Sequence, residues 1–136
     1  MGDFGVPGTE DLKRGYRKTS NMYVFGAWTM IALAIAAPFL ACIDYRPSFE
    51  SAEVWIQRSG ALTTILALLT NQLKDMGSRT LHVPGTWGDA VKLEVLAEFE
   101  RSFDRIFWVA FILTIIGTLI WGYGDTAYKY FYLGLS

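Results

Sequence analysis

Residues 54–73 read VWIQRSGALTTILALLTNQL, an apolar run that carries Arg58 close to its start and Thr63, Thr64, Thr70, Asn71 and Gln72 further on. Whether this segment crosses a bilayer decides between a chain of two spans and one of three. Placed at 100° per residue, Ser59, Gly60, Thr63, Thr64, Ala67, Thr70 and Asn71 share one side of a helix, and Leu62, Ile65, Leu66, Leu69 and Leu73 share the other. The polar residues are thus confined to a face that a neighbouring helix would cover, which leaves the leucines for lipid. Arg58 falls with the leucines beside Trp55, one turn inside the boundary, where a guanidinium extends to the headgroups as an anchor.

On either side lie two cleaner runs. Residues 23–43 are uncharged and, at about 1.5 Å rise per residue, span roughly 30 Å of hydrocarbon. Residues 106–123 are uncharged between Arg105 and Asp125. Pro38 removes a backbone donor near the end of the first run and is expected to bend it. With three spans and the N-terminus inside, the inner segments hold Lys13, Arg14, Arg17, Lys18, Lys74, Arg79, Lys92, Arg101 and Arg105; the outer ones hold Arg46, Arg58 and Lys129. That nine-to-three division follows the positive-inside rule, whereas two spans would place residues 44–105 with their seven basic residues on one outer loop.

The sequence therefore predicts an all-α integral membrane protein with transmembrane helices at 23–43, 55–73 and 106–123. A basic segment, 1–22, precedes them, with Thr9 as its expected helix N-cap. An inner loop, 74–105, contains an amphipathic helix that leads into the third span and lies on or projects from the inner surface; Thr86 and Asp89 are spaced as a capping box before it. An aromatic tail, 124–136, follows WGYGD, whose glycines are expected to stop the third helix. The N-terminus is expected in the cytoplasm and the C-terminus in the periplasm.

Each span divides into a small face and a bulky face. In the first, Gly26, Ala34, Ala37 and Ala41 oppose Val24, Trp28, Ile31, Ile35 and Phe39; in the third, Ala110, Thr114 and Gly117 align with Trp121. Small residues let helix backbones approach where lipid offers no hydrophobic contrast, so these faces, with Gly60, Thr63, Thr64, Ala67, Thr70 and Asn71, are the candidate packing or pore-lining surfaces. In this topology Asp125 stands on the same outer side as Arg58 and is its candidate ion-pair partner.

Several functions are excluded by composition. Of 136 residues 52% are hydrophobic, and the net charge of −1 provides no basic surface for nucleic acid. One cysteine, Cys42, and one histidine, His82, supply neither a disulfide nor an ordinary metal site, and Cys42 reads as a small packing residue. Glu94, Glu98, Glu100 and Asp104 are interspersed with Lys92, Arg101 and Arg105, the pattern of a solvated helix face rather than a catalytic cluster. No catalytic constellation or cofactor motif is recognised, and the chain is not expected to be an enzyme.

The segments WIQRSGA, at 55–61, and GTLIWGYGD, at 117–125, resemble stretches of small uncharacterised bacterial inner-membrane proteins. The resemblance implies a bacterial inner membrane and supplies no catalytic or binding residue. Beside the lipid bilayer, the expected partners are further copies of this chain or another membrane protein. Two functions fit: an oligomeric pore or channel-like effector that permeabilises a membrane in defence or lysis, or an accessory or scaffold subunit of a larger membrane complex. Three helices cannot enclose a water-filled passage, so the first requires self-association.

Overall fold

The computed structural model describes residues 8–43, 48–81 and 90–134, apart from the side chains of residues 132 and 133. It contains three helices, α1 (Thr9–Cys42), α2 (Ala52–Leu81) and α3 (Ala90–Tyr128), the last running on into a π-helical turn at Lys129–Leu133. The middle helix packs antiparallel to both neighbours. Gly26 of α1 lies beside Leu73 of α2, while Gly60 and Gly77 of α2 lie beside Gly117 and Phe103 of α3.

The core is a seam with a period of about 3.5 residues, the spacing of left-handed helical bundles. On α3 it runs through Val95, Phe99, Phe103, Ile106, Ala110, Leu113 and Gly117; on α2 through Gly60, Thr63, Ala67, Thr70, Gly77 and Leu81; on α1 through Ser20, Ala27, Ile31 and Ala34. Side-chain size changes along it. One half is built around Ala27, Ala34 and Ala67 with Ile31, Ile106 and Leu113, and its outward residues include Leu33, Ile65, Phe111, Ile112 and Ile116, all exposed. The other half uses Phe99, Phe103, Val95 and Leu81, and carries Lys13, Arg17, Glu94 and Glu98 on its surface. The first half has an apolar exterior with a small-residue interior; the second has the large apolar core that burial from water requires.

Two of the helices, α1 and α3, are long and apolar enough to cross a membrane. Only 22% of each apolar window is buried, so most of that surface faces outward rather than into a core. The polar face keeps α2 out of this group.

The segment expected as an inner loop is largely helix, since α2 continues to Leu81 and α3 already begins at Ala90. Its amphipathic part is continuous with the third apolar run and projects from it, because Phe99 and Phe103 pack with Tyr16, Val24 and Leu81. Lys13 binds Glu94, and Arg17 binds Glu98 at 2.8 Å, each pair spanning α1 and α3. The Lys13 ammonium, by hydrogen bond and then by charge, holds the Glu94 carboxyl below its ordinary value. A carboxyl lowered by folding stabilises fully above its unfolded value near ~4.3 and loses that effect as pH falls through the lower folded value. Acidification below about pH 4 is therefore expected to loosen this end of the bundle. Amide exchange in residues 13–20 and 94–98 should rise there, with the Lys13 step absent from Glu94→Gln.

Four local expectations are corrected. Gly8, not Thr9, occupies the N-cap position, and Thr9 is the first helical residue; Thr86 and Asp89 lie outside the described residues. WGYGD does not end α3: Gly124 is buried against Ile56 and Gln57, and Lys129 further on reaches Glu53 at 3.4 Å, so contacts with α2 carry the helix past both glycines. Cys42 is exposed, as it falls in the last turn of α1, beyond the core. Ile31 faces the core and Trp121 faces outward, because the buried side of α1 is centred on Ala27, Ile31 and Ala34 rather than on Gly26 and Ala41, and Trp121 falls at the edge of the α3 side that buries Ala110, Leu113 and Gly117.

Candidate functional site

The closest approach in the bundle is between α2 and α3. A Cβ built on Gly60 would lie 2.5 Å from the backbone nitrogen of Trp121 and 2.7 Å from the carbonyl oxygen of Gly117. Built on Gly117, it would lie 2.5 Å from Thr64 Oγ1 and 2.8 Å from the Gly60 carbonyl oxygen. The two glycines therefore touch backbone to backbone, and no other residue type fits without moving a helix. The remaining glycines are graded: Gly77 is tight against Tyr23 at 3.0 Å, Gly26 meets only the end of Leu73 at 3.7 Å, and Gly122 has nothing within 4 Å.

On the other side of α2, the buried Thr63 hydroxyl donates to the carbonyl oxygen of Ala34 in α1 at 2.9 Å. Within an α-helix that carbonyl would accept from the N–H four residues on. The residue there is Pro38, which has no N–H and remains inside α1. Thr63 thus supplies from a neighbouring helix the donor that Pro38 removes, as an apolar environment demands for every backbone group.

The other threonine hydroxyls of the candidate faces bond along their own helices. Thr64 donates to Gly60 at 3.0 Å, Thr70 to Leu66 at 2.9 Å and Thr114 to Ala110 at 2.9 Å. Ala34, Ala37, Ala67, Ala110, Gly60, Thr63, Thr70 and Gly117 are buried, whereas Gly26, Ala41, Thr64, Asn71 and Thr114 are half-buried at the margins. Asn71 Oδ1 is enclosed without a partner. The polar face of α2 is accordingly turned into its own bundle. Sequence reasoning placed Phe99 and Phe103 on the apolar face of the amphipathic helix, took Gly124 for a helix stop, and missed Ser20, Ala27 and Gly77; the 3.5-residue spacing that links these to the other seam residues was the available signal.

At the end where α2 begins, Arg58 pairs with Glu50. Asp125 instead accepts from the Thr126 hydroxyl at 3.3 Å. The reason lies in the faces of α2: Arg58 borders the cleft toward α1 with Ala37 and Ala41, while Gly124, next to Asp125, packs on Ile56 and Gln57 on the α3 side. Among the described residues no group of three or more His, Cys, Asp or Glu side chains is placed to hold a metal ion. No family model matches this chain, and neither does any curated protein or solved structure.

Proposed function

We propose that this chain is a three-span protein of a bacterial inner membrane, N-terminus inside and C-terminus outside, serving as an accessory or scaffold subunit of a larger membrane assembly. The observation that carries this reading is the inward turn of the polar α2 face. Thr63, Thr64 and Thr70 spend their hydroxyls within the protomer, Gly60 is closed by α3 and Asn71 Oδ1 is enclosed, which turns this face away from a passage between copies. What the bundle offers to partners is its apolar exterior and the charged extension formed by the start of α1 and the start of α3.

Support for the middle span comes from the same contacts. Two parallel helices that cross a bilayer hold α2 at their own depth, since it meets α1 from Tyr23 to Ala34 and α3 from Phe103 to Gly124. The inclusion of α2 therefore rests on partners for its polar groups rather than on hydropathy. A reporter fused after Leu81 should register as cytoplasmic and one fused after Ser136 as periplasmic; the reverse, periplasmic after Leu81 and cytoplasmic after Ser136, would leave two spans.

The functional half is tested by purifying the chain in nanodiscs with whatever accompanies it. A fixed stoichiometry with a different membrane protein is the expected result. A closed homo-oligomer that conducts ions in liposomes would reverse the reading in favour of the pore.

A further inference from the structure

Where α1 finishes and α2 begins, the two helices part around a groove of about 260 Å³. Ala37, Leu40 and Ala41 of α1 and Leu62 of α2 form its walls, and Trp55 and Arg58 border it as well. Ala37 and Ala41 are small enough to leave this slot open. The Arg58 side chain is 62% exposed and gives Nη1 to Glu50. A guanidinium has five N–H donors in a planar fork, so its other nitrogens remain to donate. The indole N–H of Trp55 and Oε2 of Glu50 are both buried without a hydrogen-bond partner, which is unfavourable until partners are supplied.

An apolar slot bordered by a guanidinium fork, a neutral donor without an acceptor and a Glu50 oxygen without a donor is complementary to an amphiphile whose head carries both a phosphodiester and a hydrogen-bond donor. We infer that the groove holds one phospholipid, its acyl chain against Ala37, Leu40, Ala41 and Leu62 and its phosphodiester accepting from Arg58 and Trp55. The inference rests on the membrane reading above. It goes beyond an interfacial anchor, which touches whatever headgroup is near and retains none. The occupant is a lipid because a planar fork matches the two free oxygens of a phosphodiester, and because Arg58 lies on the leucine-rich side of α2. Glu50 orients the fork by holding one of its nitrogens.

The test uses the full chain in nanodiscs of phosphatidylethanolamine and phosphatidylglycerol, with retained lipid counted by native mass spectrometry after release. Wild type should keep one phospholipid. Arg58→Gln and Trp55→Phe should each lower the retained fraction about tenfold, as expected for a lost charge-assisted or buried hydrogen bond. Ala41→Leu, which fills the slot and leaves both donors in place, should do the same, with helicity by circular dichroism unchanged in all three. Equal retention by wild type and variants, no lipid on wild type, or displacement by inorganic phosphate would overturn the site. Extraction of the wild-type chain by alkaline carbonate would overturn the membrane reading itself, whatever the lipid count.

Discussion

Gly60→Ala and Gly117→Ala are each expected to cost about 3 kcal/mol, the upper end of the range for overpacking a closed core. The reason for the upper end is the identity of the obstructing atoms. A new Cβ at Gly60 meets the backbone of Gly117 and Trp121, and one at Gly117 meets the backbone of Gly60 and Thr64. Side chains change rotamer to make room; a helix backbone has to translate. Translation of α3 away from α2 would open neighbouring contacts along the seam, including Gly124 on Ile56. Gly122→Ala is the control, since nothing lies within 4 Å of its site; it should gain about 1 kcal/mol from helix propensity alone. Gly26→Ala, facing only the end of Leu73 at 3.7 Å, should be tolerated. Reversible unfolding in mixed micelles measures all four. A Gly60→Ala protein as stable as Gly122→Ala would mean that α2 and α3 do not touch here.

The division of α2 into two faces was legible because its small and polar residues recur on one side of a wheel: the structure buries Ser59, Gly60, Thr63, Ala67 and Thr70 and exposes Leu62, Ile65 and Leu69, but half-buries Leu66 and Leu73 against the core. The faces of α1 and α3 were legible only in part. The α1 face was drawn through Gly26 and Ala41, which the bundle leaves half-buried, instead of through Ala27 and Ile31, and Trp121 lies at the edge of the buried side of α3. The partner of Arg58 was not legible at all. Placing Arg58 and Asp125 at one end of the bundle says nothing about which side of α2 each occupies, and Glu50 lies before the helix, where no periodicity reaches. Similarly, WGYGD has the composition of a helix stop, and only the burial of Gly124 against α2 explains why α3 continues.

Thr63→Val should cost about 1–2 kcal/mol in the native background and only a few tenths when Pro38 has been replaced by alanine. In the native chain the Thr63 hydroxyl donates to the Ala34 carbonyl at 2.9 Å, where Pro38 has no N–H to give. Valine has nearly the same shape and no hydroxyl, so the substitution isolates the hydrogen bond from packing. With Pro38→Ala, the new N–H at position 38 completes the α-helical bond to Ala34 and makes Thr63 redundant. Pro38→Ala alone can shift stability in either direction, because it changes both the backbone freedom of α1 and its fit to α2. The double-mutant cycle cancels those effects and leaves the coupling, expected at about 1 kcal/mol. Simple additivity would sink the account, and Thr63→Ser, which keeps the hydroxyl, should stay close to wild type in both backgrounds. Pro38 would otherwise leave the Ala34 carbonyl without the donor that an α-helix supplies from four residues on. The threonine that lowers the hydropathy of α2 is then what allows α1 to carry its proline inside the bundle.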